Sequence, residues 1–277
     1  MGLRPGELSA ELEHLTALTG VHLPFGQSSQ VFEQLALVRA SPQRIDKTTQ
    51  AMGREMAAVE AEWITDSHAE PYLQPVERHG GAPRRRSGTV DATKVHPSQA
   101  RDASDEGWRD LKIGGWFETT ARPPTSPEDV WEIEAHHITS DCDIVEAERF
   151  GDLLWAMGVH RRAHLADELI FGADGAEWIG KLVEFHFPQA IQSVDWFHAA
   201  DYLPPVAALA GMSALARQAW LQHARENLWE GRLDALIAAC QALVTTGGTE
   251  DAAQKTPTSF SNNRQRLNSP DYRAKGY

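Results

Sequence analysis

Hydrophobic periodicity changes character near residue 85, and that change constrains the architecture more than any other feature of the chain. Before it, apolar residues recur at helical spacing. Leu12, Leu15 and Leu18 follow Ser9, a natural N-cap, and Val31, Phe32, Leu35, Leu37 and Val38 form a second amphipathic stretch after the turn at Pro24-Phe25-Gly26. Ser41-Pro42 opens a third helix, because proline is tolerated in a first turn whose amide protons have no partner. Beyond residue 85 the pattern becomes that of strands. β-Branched residues surround one acid in Thr89-Val-Asp-Ala-Thr-Lys-Val95, and 108–119 and 132–139 supply antiparallel partners. Asp143, with Glu146 as the second half of a capping box, is expected to start a helix whose apolar face is Phe150, Leu153, Leu154 and Met157.

Two short apolar strands follow, Leu169 to Asp174 and Ala190 to Asp195, separated by a helix through Ala176, Ile179 and Val183 that ends before Pro188. From His198 to Val244 the pattern is helical again, with Leu209, Leu215, Trp220, Leu228, Leu233, Leu236, Ile237 and Leu243 as core candidates. Three strands, helix, strand, helix, strand is the succession of the RNase H-like fold, an α/β mixed sheet with flanking helices. The expected organisation is a helical, helix-turn-helix-like segment over 1–66 and a linker over 67–86. An RNase H-like core over 87–199, a helical insertion over 200–250 and a basic tail over 251–277 complete it.

Composition narrows the function classes. With 277 residues, 42% of them hydrophobic, the chain can bury a substantial core. It has neither an apolar run long enough to span a bilayer nor the apolar core of a secretory signal, so a cytoplasmic protein with no membrane partner is expected. Cys142 and Cys240 are too far apart for a zinc module. A formal charge of −13 excludes a surface that grips nucleic acid everywhere, since phosphate neutralisation needs concentrated cations. Contact with DNA would fall to local groups. The third helix presents Gln43, Arg44 and Lys47, donors suited to phosphates and base edges, although a ligand-free three-helix packing module fits the same pattern. The triplet Arg84-Arg85-Arg86 and the cations from Lys255 to Lys275 are either DNA patches or solvated linker charge.

Chemistry is expected at Asp91 and Asp174. Asp91 lies mid-strand among residues expected to be buried, where a carboxylate is costly unless paired or metal-bound. Asp174 ends a later strand at a Gly-containing turn, where ligand-facing side chains of open sheets stand. In an RNase H-like sheet these strands are neighbours, so the two carboxylates would converge on a hard cation, Mg²⁺ or Mn²⁺. An aspartate at a strand end is also a common helix cap or turn acceptor. Asp195 and His198, three residues apart where a strand yields to a helix, could touch a metal or phosphate, but a structural role fits them better, the acid capping the next helix and the histidine packing nearby. His136 and His137, as strand neighbours, should face opposite ways and serve structure.

Three segments together carry a family resemblance: Val90-Asp91, Gly172-Ala-Asp-Gly-Ala-Glu-Trp-Ile179, and Phe187-Pro188 leading to Asp195-Trp-Phe-His-Ala199. In this combination the chain resembles ISKra-type insertion-sequence transposases, relatives of the Mutator-like group, over roughly 85–277 and more loosely over 8–53. The resemblance implies a DDE transposase that cleaves and joins DNA by two-metal phosphoryl transfer, with Asp91 and Asp174 as its first two acidic ligands. It further implies DNA, as element ends and target, for a partner. Homo-oligomer formation is left open.

Two departures stand out. Ala92 occupies a position where the family has Gly, and the family's third acid, a Glu closing a Gly-Ser-Gly segment after Tyr-Arg-Ala-x-Gly, is absent. Here Tyr272-Arg-Ala-Lys-Gly-Tyr277 is the last stretch present, while Glu226 and Glu230 read as helix-surface residues. The resemblance thus implies a shortened enzyme, inactive alone. Two alternatives remain: a non-catalytic protein that binds element ends, and an unrelated metal-dependent nuclease.

Overall fold

The structure is a computed structural model and describes residues 8–69, 84–96, 107–126, 131–244 and 250–277. It divides into two compact units, Met1–Asp66 and Ser67–Tyr277. Most of the expected linker, 70–83, lies outside the described residues.

The first unit holds α1 (Ala10–His22), α2 (Phe25–Ala36) and most of α3 (Pro42–Ser67). Ser9 caps α1 by accepting from the Leu12 amide, and Ser41 Oγ accepts from the Arg44 amide at the start of α3. Phe32, Ala40 and Ile45 form the small core, flanked by Leu12, Ala36 and Val38. The buried Ser28 hydroxyl lies within hydrogen-bonding reach of the Thr19, Leu23 and Pro24 carbonyls, so the α1–α2 turn leaves no polar group of this serine unsatisfied. Gln43 and Lys47 are exposed and Arg44 half-buried on the first turns of α3.

The second unit is built on a five-stranded sheet of order β3-β2-β1-β4-β5. Its strands are β1 (Arg85–Val95), β2 (Arg109–Arg122), β3 (Glu132–Asp143), β4 (Glu168–Ala173) and β5 (Ile191–Val194). β1, β2 and β3 form an antiparallel meander; β4 runs parallel to β1, and β5 parallel to β4. Parallel neighbours need crossovers. Here they are α4 (Ala147–His160), between β3 and β4, and α5 (Glu177–His186), between β4 and β5. Phe171 and Phe187 pack edge-on against the fully buried Trp116, whose indole N–H donates to the Leu154 carbonyl at 2.9 Å, while Phe150 and Leu154 of α4 are buried against Gly114 of β2.

α4 begins later than its sequence suggests. Asp143 still belongs to β3 and its carboxylate accepts from the Ile144 amide, while Glu146 is the N-cap and makes no side-chain cap bond. The acid is held by its own local turn, so the capping box never forms.

A second core lies among α6 (Trp196–Asp201), α7 (Leu203–Leu209), α8 (Ala214–Trp229), α9 (Leu233–Val244) and α10 (Glu250–Asn262). Leu203, Leu228, Leu236, Cys240, Phe260 and Leu267 are among its buried residues. Leu215, expected in a core, is 79% exposed on the first turn of α8. The basic tail is folded: α10 brings Phe260 into this core, and the turn between α10 and α11 (Ser269–Lys275) brings Leu267. Arg264 pairs with Asp234, Arg266 with Glu184 and Lys275 with Asp271, while Arg273 stacks on Trp229. Arg85 and Arg86, adjacent in β1, pair with Glu168 and Glu118. These arginines are internal ties of the sheet rather than linker charge. No described helix is long and apolar enough to cross a membrane.

Candidate functional site

Alternation along β1 sends Arg85, Ser87, Thr89 and Asp91 to one face of the sheet, and Gly88 and Val90 toward the face covered by α4 and α5. On the first face the sheet floors a cavity of about 440 Å³. Phe117 and Thr119 of β2, Ile133 of β3, Ile170 and Gly172 of β4 and Ser193 of β5 line it, together with Gly276 and Tyr277. Asp91, Asp174, Asp195 and His198 line the same cavity.

The register explains this convergence. The β1–β4 ladder ends at Val90 opposite Ala173, and the β4–β5 ladder at Ala173 opposite Val194. Asp91, Asp174 and Asp195 are therefore the next residues on three adjacent parallel strands. The carboxyl ends of such strands are where open α/β sheets place ligands. Asp91 is exposed, not buried as its apolar neighbours suggested, because it stands on the cavity side of β1.

Each acid is held locally. Asp91 Oδ1 accepts from the Ala92 amide at 2.7 Å, Asp174 Oδ1 from the Ala176 amide at 2.8 Å, and Asp195 Oδ1 from the His198 amide at 3.0 Å. The last bond is the N-cap of α6, so Asp195 has the structural role expected of it while also lining the cavity. Among the described residues none of the three carboxylates forms an ion pair with a protein cation. The turn after Asp174 depends on Gly175, whose φ of +85° lies in the left-handed region, and on Asn263, whose side-chain amide donates to the Gly175 carbonyl at 3.0 Å. Asn263 is buried at the end of α10, so a residue 88 positions away braces the turn that presents Asp174.

The far end of the cavity is closed by the last turn of the chain. Arg85 donates to the Gly276 carbonyl at 2.8 Å, lies 4.7 Å from the Tyr277 ring centroid and pairs with Glu168 at 2.9 Å. The Tyr277 hydroxyl contacts the same glutamate at 3.3 Å, and burial with the Glu168 charge holds its phenol above the usual tyrosine range. The Tyr272 hydroxyl sits 2.9 Å from both the Gln192 and Gln265 carbonyls, tying α11 to β5. Glu226 and Glu230 do not line this cavity; Glu226 faces His223 and Arg232.

The sequence favours Asp91 and Asp174 as site residues and a structural role for Asp195 and His198, with contact to a metal or phosphate as the alternative. The available signal was positional: Asp195 ends a strand just as Asp174 does. Comparison with known proteins adds no family, for no family model matches the chain and no curated protein matches it.

Proposed function

We propose that this protein is a DNA-cleaving phosphoryl-transfer enzyme of the transposase type, with Asp91 and Asp174 as ligands for Mg²⁺ or Mn²⁺. The observation that carries this reading is that both acids follow the last pair of the β1–β4 ladder and line one cavity. The strand order, with β2 running against the other four, supports an RNase H-like sheet.

The chemistry of the carboxylates that line the cavity suits a hard cation. None of them is neutralised by a described arginine or lysine, and an oxygen-only set favours Mg²⁺ or Mn²⁺ over softer metals. When bound, a pair of such ions supplies activation of the attacking hydroxyl and stabilisation of the leaving oxygen. The protein's own part is orientation. Backbone amides fix one oxygen each of Asp91 and Asp174, leaving the other for a ligand. Asp195 adds a third carboxylate and His198 an imidazole to the lining, to which the stacked Arg85 and Tyr277 also belong. In a chain of net charge −13, an acidic pocket accepts a phosphodiester only once cations offset its charge. Gln43, Arg44 and Lys47 of the first unit supply additional DNA contact in this reading.

Strand cleavage of an element-end duplex in Mn²⁺ tests the proposal, using this chain beside one extended through a Gly-Ser-Gly…Glu segment. Cleavage by either chain, abolished by Asp91→Ala and by Asp174→Ala, supports it. Cleavage that survives both substitutions, or none by either chain, overturns it. Binding of the duplex without cleavage would identify a non-catalytic end-binding protein instead.

A further inference from the structure

We infer that Glu118, His136 and His137 form a second metal site, of the zinc type, on the β2–β3 ribbon. Two histidines adjacent in a strand ordinarily face opposite ways, but here the ladder slips. Trp116 pairs with Thr139 while Glu118 pairs with His136, so Phe117 alone spans the interval that His137 and Ile138 fill on β3. His137 takes up the extra residue with φ of 52°. Such bulges re-aim side chains. The imidazoles of His136 and His137 consequently meet edge-on at 5.2 Å between centroids, and a ligand atom from each lies within 4.8 Å of the other and of a Glu118 oxygen.

The spacing suits coordination. His137 Nδ1 is 3.5 Å from Glu118 Oε1, and two ligands about 2.0–2.1 Å from a tetrahedral ion stand roughly 3.3 Å apart. Two imidazoles and one carboxylate are a zinc donor set that leaves a fourth position for water. Arg86 and Arg161 approach the same oxygen at 2.8 and 3.6 Å. They fix the carboxylate as neighbours of metal-bound acids do, and their charge moderates the affinity for a divalent ion. The site is separate from the Asp91 cavity. The β1–β2 register sets Glu118 beside Arg86, five residues from Asp91, about 17 Å along the strand, and Glu118 does not line that cavity.

The test is Zn²⁺ titration of the full chain by equilibrium dialysis, with Co²⁺ as a spectroscopic substitute. Expected are a stoichiometric ion, the visible absorption of a low-coordinate Co²⁺ site, and roughly 10- to 100-fold weaker binding in His136→Gln and in Glu118→Gln. That absorption should persist in Asp174→Asn, which separates this site from the proposed catalytic one. On the unaltered chain, Zn²⁺ should protect the peptide containing His136 and His137 from carbethoxylation, a readout independent of whether the variants fold. Absence of that protection, or Zn²⁺ binding unchanged in a folded His136→Gln variant, overturns the inference.

Discussion

Asp91 and Asp174 each stand one residue beyond the end of the β1–β4 ladder, where Val90 faces Ala173, and both line one cavity. Nothing local in either segment dictates that they share it. The sharing follows from strand order, which sets β1 between β2 and β4.

Asn263 is expected to act as a positioning residue for Asp174. Replacing it with Ala removes the donor to the Gly175 carbonyl and should cost about 1–2 kcal/mol of stability. The accompanying effect should be a several-fold loss of Mn²⁺ affinity, measured beside a melting curve. A variant that melts lower but binds Mn²⁺ unchanged would make Asn263 merely structural.

Trp116 anchors the sheet to α4 and α5. It is fully buried, contacts Phe171 and Phe187, and satisfies its indole N–H on α4. Trp116→Ala should destabilise the second unit by about 3–5 kcal/mol, read as a lower urea midpoint. A loss below 1 kcal/mol would contradict this account of the core.

Much of this architecture was legible in the chain. The element succession of the second unit followed from a switch of hydrophobic period, which is a local property. What was not legible depends on distant packing. Arg85 and Arg86 looked like linker charge because their partners, Glu168 and Glu118, lie far along the chain. The cations of the C-terminal segment likewise belong to ion pairs that only the fold creates. His136 and His137 were assigned to opposite faces by strict alternation, and a single bulge undoes that alternation without a glycine to mark it. Asp195 is both a cap and a cavity residue, and its place at a strand end before a helix is compatible with either role until the fold sets the cavity beside it.

The two cysteines should differ sharply in reactivity. Cys142 is exposed, whereas Cys240 is buried and burial pushes its thiol up to about 11. A maleimide should label Cys142 rapidly in the folded protein and Cys240 only after denaturation, because the thiolate is the nucleophile. Equal labelling rates would contradict the packing around α9.

His186 should make the second unit acid-sensitive. It is buried beside Gly151, and burial holds its imidazole below the usual value of about 6.5, a shift that Asp152 opposes, His68 reinforces and Glu148 opposes. With the folded value depressed, the unfolded chain binds the proton more readily. Stability is therefore full above about 6.5 and falls as pH drops toward the folded value. His186→Phe should flatten that part of the stability profile measured by urea denaturation. An unchanged slope would assign the acid sensitivity elsewhere.

The most direct test of the central claim is a Mn²⁺ titration followed by electron paramagnetic resonance, comparing the unaltered chain with Asp91→Asn, Asp174→Asn and, as a control away from the cavity, Glu226→Gln. At least ~10-fold weaker Mn²⁺ binding is expected in each aspartate variant, with the control unaffected. Aspartate variants that bind Mn²⁺ as the unaltered chain does would contradict the claim.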